Sequence, residues 1–278
     1  MKRIVPEPDW PASWLKSFAY DLMEVYGEPA SDLGYASSYR VRNRLAIDLI
    51  RSVAAPGARV LDVAAAQGNF SIALAERGYD VTWNDIRAEL AEYVDLKRER
   101  GLIAYSPGNI LDLEPTGDYD VVLATEVVEH VAHPDRFLTH LGLFLRPGGY
   151  LIVTTPNGAF VRNKLPRFSD HSDPAIFEGV QFQPNADGHI WLLYPDEIAP
   201  LAVRAGLLPR DLRLFTNPLT AGWMKTTPLL RALPAGVVDA LERLSRRAPR
   251  PLRERLMTHM VIVLRRATSS DARQADAR

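Results

Sequence analysis

From Arg59 onward, short apolar runs alternate with longer stretches of helical periodicity. "RVLDVA", "YDVTWN", "IAYSP", "YDVVLAT" and "YLIVTTP" read as successive strands. Between them, "FSIALAERG", "IRAELAEYVDLKRERG" and the stretch from Pro134 to Arg146 carry apolar residues at helical spacing. Gly101 is expected to close the second of these helices as a C-cap, and "PGG" to turn the chain into the fifth strand. "YPDEIAPLAVRAG" predicts a further helix. "LRLFTN" and "HMVIVLRRA" predict two final strands, with Lys225 to Leu256 between them helical and broken by prolines. This alternation predicts an α/β fold: a mostly parallel sheet with helices on both faces.

The residues before the sheet pattern differ. "SWLKSFAYDLMEVYG" has helical spacing of apolar and aromatic residues, and "YASSYRVRNRLAIDLIRSV" begins polar and continues as an amphipathic helix. A leader of that length is too short for its own core, so 1–55 is expected to form a helical lid on a core spanning 56–268. Within that core, about 220–256 is a helical insertion. The end, 269–278, is small and polar and reads as a flexible tail.

Composition narrows the function. Charge is balanced, 33 Lys+Arg against 34 Asp+Glu, which argues against a general nucleic-acid binder. The chain has no cysteine, excluding thiolate metal sites and Cys nucleophiles. "MKRIVPEPDW" lacks the apolar region of a signal peptide, and no apolar run has membrane-spanning length. A soluble cytoplasmic protein is the expectation.

The candidate ligand loop is Asp62 to Gly68, after the first strand. In an open parallel sheet, ligands bind beyond the carboxyl ends of the strands, where strand order reverses. Small residues let backbone amides approach a ligand there, provided Ala64 and Ala66 hold ordinary backbone angles. Asp85 ends the second strand, where a carboxylate is suited to the two hydroxyls of a ribose. "AAAQGN" lacks the G-x-G-x-x-G of a dinucleotide loop. A nucleoside without pyrophosphate fits better, favouring S-adenosylmethionine (SAM) over a nicotinamide cofactor. The bland alternative is that Asp62 and Asp85 merely cap the turns that follow them.

Five stretches in register resemble the class I SAM-dependent methyltransferases of the small-molecule type: "LDVAAAQG", "VTWND", "SPGNILDL", "YDVVLATEVVEHVAHPDRFL" and "LRPGGYLIVTTPN". The resemblance implies a Rossmann-like, seven-stranded sheet of order 3-2-1-4-5-7-6, whose last two strands form an antiparallel pair. It further implies that Asp62 and the backbone of Ala64, Ala65, Ala66 and Gly68 hold the methionine part of SAM. Asp85 would bind the ribose, Ile86 pack on the adenine, and Asn109 and the Ile110 amide meet the adenine edge. Glu126 would lie near the amino-acid end. The departures are Ala64 and Ala66 in place of glycine, and Asn109 where an acid is common.

Methyl transfer from a sulfonium needs alignment and exclusion of water, and a hydroxyl acceptor is helped by a base. His130, just past the fourth strand, and His189, in the segment after the fifth, are the candidate catalytic bases. Each has an ordinary alternative, packing or capping for His130 and loop ordering for His189. Asp170, His171 and Asp173 stand close enough to suggest Mg²⁺, against the reading of a solvated loop. Zinc on Glu129, His130 and His133 lacks a remote ligand set, so no metal is expected. Tyr35, Tyr39, Arg40 and Arg42 precede the core. Tyr39 is a candidate to cover the sulfonium by cation–π contact, against ordinary packing. Through 223–256, Trp223, Met224 and a run of arginines suit an anionic acceptor, a lipid surface or a partner chain, or form a solvated face.

The expected function is O-methylation of a small molecule, a sugar, natural product or quinone precursor, with no nucleic-acid partner. "ATEV" is not the N/D-P-P-Y/F motif that would point to DNA adenine. A non-catalytic SAM-binding module is the alternative, and a nicotinamide oxidoreductase a more distant one. The oligomeric state is left open.

Overall fold

The computed structural model describes residues 1–28, 33–181, 188–221 and 226–271. Its seven strands are β1 (Arg59–Val63), β2 (Asp80–Trp83), β3 (Ile103–Tyr105), β4 (Tyr119–Thr125), β5 (Leu145–Pro156), β6 (Leu207–Phe215) and β7 (His259–Arg266). They form one sheet of order β3-β2-β1-β4-β5-β7-β6. The pairings from β3 through to β5 are parallel, while β7 runs antiparallel to both β5 and β6. The order reverses between β1 and β4, leaving a crevice beyond their carboxyl ends.

Helices cover both faces. Those of the core are α3 (Asn69–Ala75), α4 (Leu90–Lys97), α5 (Pro134–Phe144) and α6 (Ile198–Arg204); the leader supplies α1 (Ala12–Asp21) and α2 (Leu33–Val53). One buried cluster joins Phe137, Leu141 and Trp191 to one face of the sheet. The other joins Ile47 and Ile50 of α2 with Phe70, Leu90 and Trp83. Burial of these apolar stripes on a sheet closed on both sides is the main stabilising term.

Two local expectations are corrected. α4 ends at Lys97, and Gly101 lies beyond it in a turn. A Cβ there would come 2.4 Å from the Ala75 carbonyl oxygen, so close approach between chain segments, with φ of +78°, requires this glycine. "PGG" lies within β5, where the register slips between Tyr119 and Val121; the extra residues form a bulge.

The insertion folds as α7 (Thr227–Ala232), α8 (Ala235–Ser245) and α9 (Arg250–Leu256). The buried Glu242 of α8 accepts from the amides of Thr216 (2.6 Å) and Asn217 (3.2 Å), tying the insertion to the end of β6. Arg243, Leu244, Arg247, Arg250, Leu252 and Arg255 are exposed. Trp223 and Met224 lie outside the described residues, as do positions 272–278 of the expected tail. No helix among the described residues is long and apolar enough to cross a membrane.

Candidate active site

β1 delivers the chain into the Ala64–Gly68 loop in a conformation that the sequence reading did not expect. Ala64 and Ala66 have φ of +51° and +49°, not ordinary angles. An L-residue there is opposed by its Cβ, at about 1–2 kcal/mol. The surroundings force the geometry. The Ala65 amide donates to the Asn84 carbonyl (2.8 Å) and the Gly68 amide to the Ala65 carbonyl (2.8 Å). The Ala66 amide donates to Asp85 Oδ2 (2.8 Å), and Trp83 Nε1 donates to the Ala66 carbonyl (3.0 Å). Gly68 turns inward: a Cβ on it would lie 2.6 Å from Val94 Cγ2, so its smallness serves packing on α4.

Below this loop, Asp62 is buried and accepts from Ser71 Oγ (2.6 Å). Its Oδ1 has no partner among the described residues. Burial raises its carboxyl to about 7, with Ser71 opposing the rise. Asp85 is also buried, and points at the loop. Its carboxylate also accepts from the Arg87 amide and Nε, both 2.9 Å, and from Nη2 at 3.1 Å. The ribose position expected from the sequence is therefore covered by a half-exposed arginine in this conformation.

A cavity of about 330 Å³ opens between the loop and the leader helices, within the range of about 300–1,000 Å³ for small-molecule sites. Ala64, Ala65, Ala66 and Glu126 line it, facing Tyr20, Tyr35, Tyr39 and Arg42 from the leader, with Arg87 at one side. Asp62, Gly68 and Asp85 support the loop without lining the cavity. Ile86 is exposed beside Asp85. Asn109 Oδ1 accepts from the Leu111 amide (3.2 Å) and caps a short turn that contains the buried Ile110.

Glu126, one residue past β4, also has positive φ, +55°. Backbone strain thus gathers at the ends of β1 and β4, as at many functional sites. Its carboxyl accepts from Thr154 Oγ1 (2.8 Å), with Arg42 Nη1 at 3.3 Å and His259 Nε2 at 3.5 Å. Burial pushes this carboxyl up, but Arg42, His259 and Thr154 outweigh it and hold the group below its ordinary value. Glu129 behaves oppositely. Burial and then the charge on Glu126 push it well above its ordinary value. The environments of the two carboxyls drive them in opposite directions, Glu126 down and Glu129 up.

His130 and His189, far apart in sequence, meet edge to face with ring centroids 4.9 Å apart. Partial burial, then the neighbouring His130, lowers His189 below its ordinary value, so its imidazole is neutral near pH 7. His133 points elsewhere, its Nε2 2.6 Å from Glu178 Oε1. Asp173 caps a turn at the Ala175 amide (3.1 Å) while His171 packs on Trp191 (5.1 Å), which gives this loop ordinary local partners. Tyr39 is buried against Phe70, and the cation over its ring is Arg42 (5.2 Å).

The sequence reading missed the polar latch between leader and loop. Glu24 accepts from Gln67 Nε2 (2.6 Å) and Tyr35 OH (2.7 Å). Asp21 accepts from Asn69 Nδ2 (2.8 Å), Tyr93 OH (2.6 Å) and Lys97 Nζ (2.7 Å). His259 was also missed; its place opposite Pro156 in the antiparallel β5–β7 register brings it to the site. Polar residues on the packed sides of otherwise apolar helices were the available signal.

A methyltransferase-domain family pattern matches residues 36–209. A curated relative, the "ubiquinone biosynthesis O-methyltransferase" of Cereibacter sphaeroides, is 32% identical over 193 residues, covering 66% of this chain and 75% of its own. Among solved structures, the [4+2]-cyclase SpnF superposes with a TM-score of 0.57 at 20% identity, covering 93% of this chain and 98% of that one. A geranyl diphosphate methyltransferase in complex with SAM gives 0.53 at 16% identity, covering 94% and 93%. These structural likenesses show the fold, with its sheet and crevice.

Proposed function

The chain belongs to the methyltransferase-domain family, a SAM-dependent enzyme class, and from that premise we propose that it methylates a hydroxyl on a small quinone-like acceptor. The observation that carries this reading is the cavity at the strand carboxyl ends, with the amide-rich loop on one wall and Glu126 on another. The relative's role as an O-methyltransferase of ubiquinone biosynthesis supports the acceptor class.

The residues present fit SAM. The loop is backbone-lined at Ala64, Ala65 and Ala66, Asp85 offers a carboxylate beside it, and Asp62 Oδ1 is a buried acceptor without a partner. Bound SAM supplies a methyl group already activated on sulfur. Asp85 would hold the ribose hydroxyls once Arg87 swings away, with Ile86, Asn109 and the Ile110 amide at the adenine. Asp62 and the loop from Ala64 to Gly68 would hold the methionine part, and the charged Glu126 its cationic end. The leader helices exclude water by closing the cavity from the other side. His130 and His189 would activate the acceptor hydroxyl; as a neutral imidazole, His189 would accept its proton while the methyl passes from sulfur to oxygen, the methyl–sulfur bond breaks and S-adenosylhomocysteine is left.

Incubation with labelled SAM and a panel of catechols, quinols and sugars tests this reading. Label is expected in an aromatic hydroxyl acceptor, with kcat lowered at least about 100-fold in His130→Ala/His189→Ala. No transfer to any hydroxyl, or a double variant with full turnover, would refute it.

A further inference from the structure

Because β7 runs antiparallel to β5 and β6, its first residue, His259, lies at the carboxyl ends of those strands, opposite Pro156 and Phe215. The imidazole is fixed by its neighbours. Its face stacks on Phe215, with ring centroids 5.6 Å and planes 25° apart. Nδ1 lies 2.8 Å from Thr258 Oγ1, and Nε2 stands 3.5 Å from Glu126 Oε2. The Thr258 anchor is itself held. Its amide (2.8 Å) and its hydroxyl (2.9 Å) both donate to the Thr216 carbonyl. Thr216, just past β6, has φ of +60°, an uncommon angle for a β-branched residue, and its amide donates to Glu242. Strain of this kind persists only where the surroundings over-determine it.

The Thr258 hydroxyl suits either form of the ring. With Nδ1 protonated, it accepts from that nitrogen and keeps its own proton on Thr216. With Nδ1 bare, it turns its proton to the nitrogen, while the Thr258 amide still satisfies the Thr216 carbonyl. On the Glu126 side only a proton on Nε2 fits, since a bare nitrogen would turn its lone pair on a carboxylate. His259 therefore presents an N–H to Glu126 in its neutral and in its charged form. Burial lowers the imidazole below its ordinary value; Glu126 opposes the fall, and Arg42 and His189 add to it. The ring is thus neutral near pH 7. A neutral donor orients the carboxylate without adding a second full positive charge to that of Arg42.

We propose that His259 is a positioning residue for the cofactor, holding the Glu126 carboxylate ready for the ammonium group of SAM. This rests on the proposed function, which puts Glu126 at that end of the ligand. Three elements share the task. Thr154 of β5 donates to Oε1 at 2.8 Å, while Arg42 of α2 and His259 of β7 face Oε2. Glu126 lines the cavity, with 20% of its side chain exposed. His259 is outside the cavity lining, so it acts through Glu126.

Calorimetry on the full chain tests this with two ligands, S-adenosylhomocysteine and 5′-methylthioadenosine, which keeps the adenosine and sulfur but lacks the amino-acid part. His259→Asn keeps a donor at the place of Nδ1 and loses the reach to Glu126. His259→Gln restores a donor at the place of Nε2. His259→Asn is expected to weaken S-adenosylhomocysteine at least about 5-fold and to leave 5′-methylthioadenosine within about 2-fold of wild type. His259→Gln is expected to bind both as wild type does. In a Glu126→Gln background, His259→Asn is expected to change neither affinity, because groups that act through one contact do not add. Equal S-adenosylhomocysteine affinity in wild type and His259→Asn overturns the proposal and leaves the methyltransferase reading standing. An equal loss of both ligands also overturns it, since that marks a structural role. A wild-type chain that binds no S-adenosylhomocysteine overturns the cofactor reading and the proposal together.

Discussion

Ala64 and Ala66 show what the loop after β1 demands of single residues. Both sit in the left-handed region, where glycine has no Cβ to clash. Ala66→Gly is expected to raise stability by about 0.5–1 kcal/mol, the relieved strain less the entropy that glycine costs; an unchanged or lower thermal midpoint would contradict this. Asp62 makes a pH-dependent contribution. Its folded value of about 7 lies above the ordinary 3.8. The native state therefore holds a proton that the unfolded chain has released between those values. The stability linked to this group is full below about pH 4 and falls as pH rises through about 7, by about 4 kcal/mol at most. Asp62→Asn is expected to flatten that slope and to be more stable than wild type at pH 8 in urea titrations. A parallel pH profile in the two proteins would be the contrary result. Asp62 and Asp85 were legible in the sequence because each ends an apolar strand. The positive φ values were not, because alanine gives no local sign that distant bonds to Asn84, Asp85 and Trp83 will hold it there.

At the scale of elements, the leader is bound to the core by buried polar groups as well as by apolar packing. Asp21 and Lys97 form an ion pair at 2.7 Å, with both side chains at most 2% exposed. Charges so far from water persist only when fully partnered, and here Tyr93 and Asn69 complete the set. Lys97→Met leaves Asp21 charged and buried, so a loss of about 3–5 kcal/mol is expected, read as a lower urea midpoint. A midpoint within error of wild type would show that the latch adds nothing. Because Asn69 and Gln67 belong both to this network and to the loop region, leader and cavity wall are coupled. Helical spacing revealed α1 and α2 in the sequence; it did not reveal their docking, which depends on side chains that meet across long sequence separations. For the same reason His130 and His189 were each visible as candidates while their meeting was not. The last two strands and the helices between them were readable, since their apolar runs are long and their prolines mark the breaks.

At the scale of the molecule, the sheet order places the strained residues Ala64, Ala66 and Glu126 together at the carboxyl ends of β1 and β4. The strand reversal between β1 and β4 opens the crevice, Ala64, Ala65, Ala66 and Glu126 line one side of it, and leader residues line the other. His130, after β4, and His189, after β5, meet only in the fold. Under the proposed function, Asp85 is the residue on which cofactor recognition turns: it accepts from the Ala66 amide and would exchange Arg87 for a sugar. Calorimetric titration of S-adenosylhomocysteine into wild type and Asp85→Asn tests this most directly. Saturable binding to wild type, weakened at least about 10-fold in the variant as a charge-assisted hydrogen bond is lost, is the predicted result. No binding to wild type, or equal affinity in the two proteins, would contradict it.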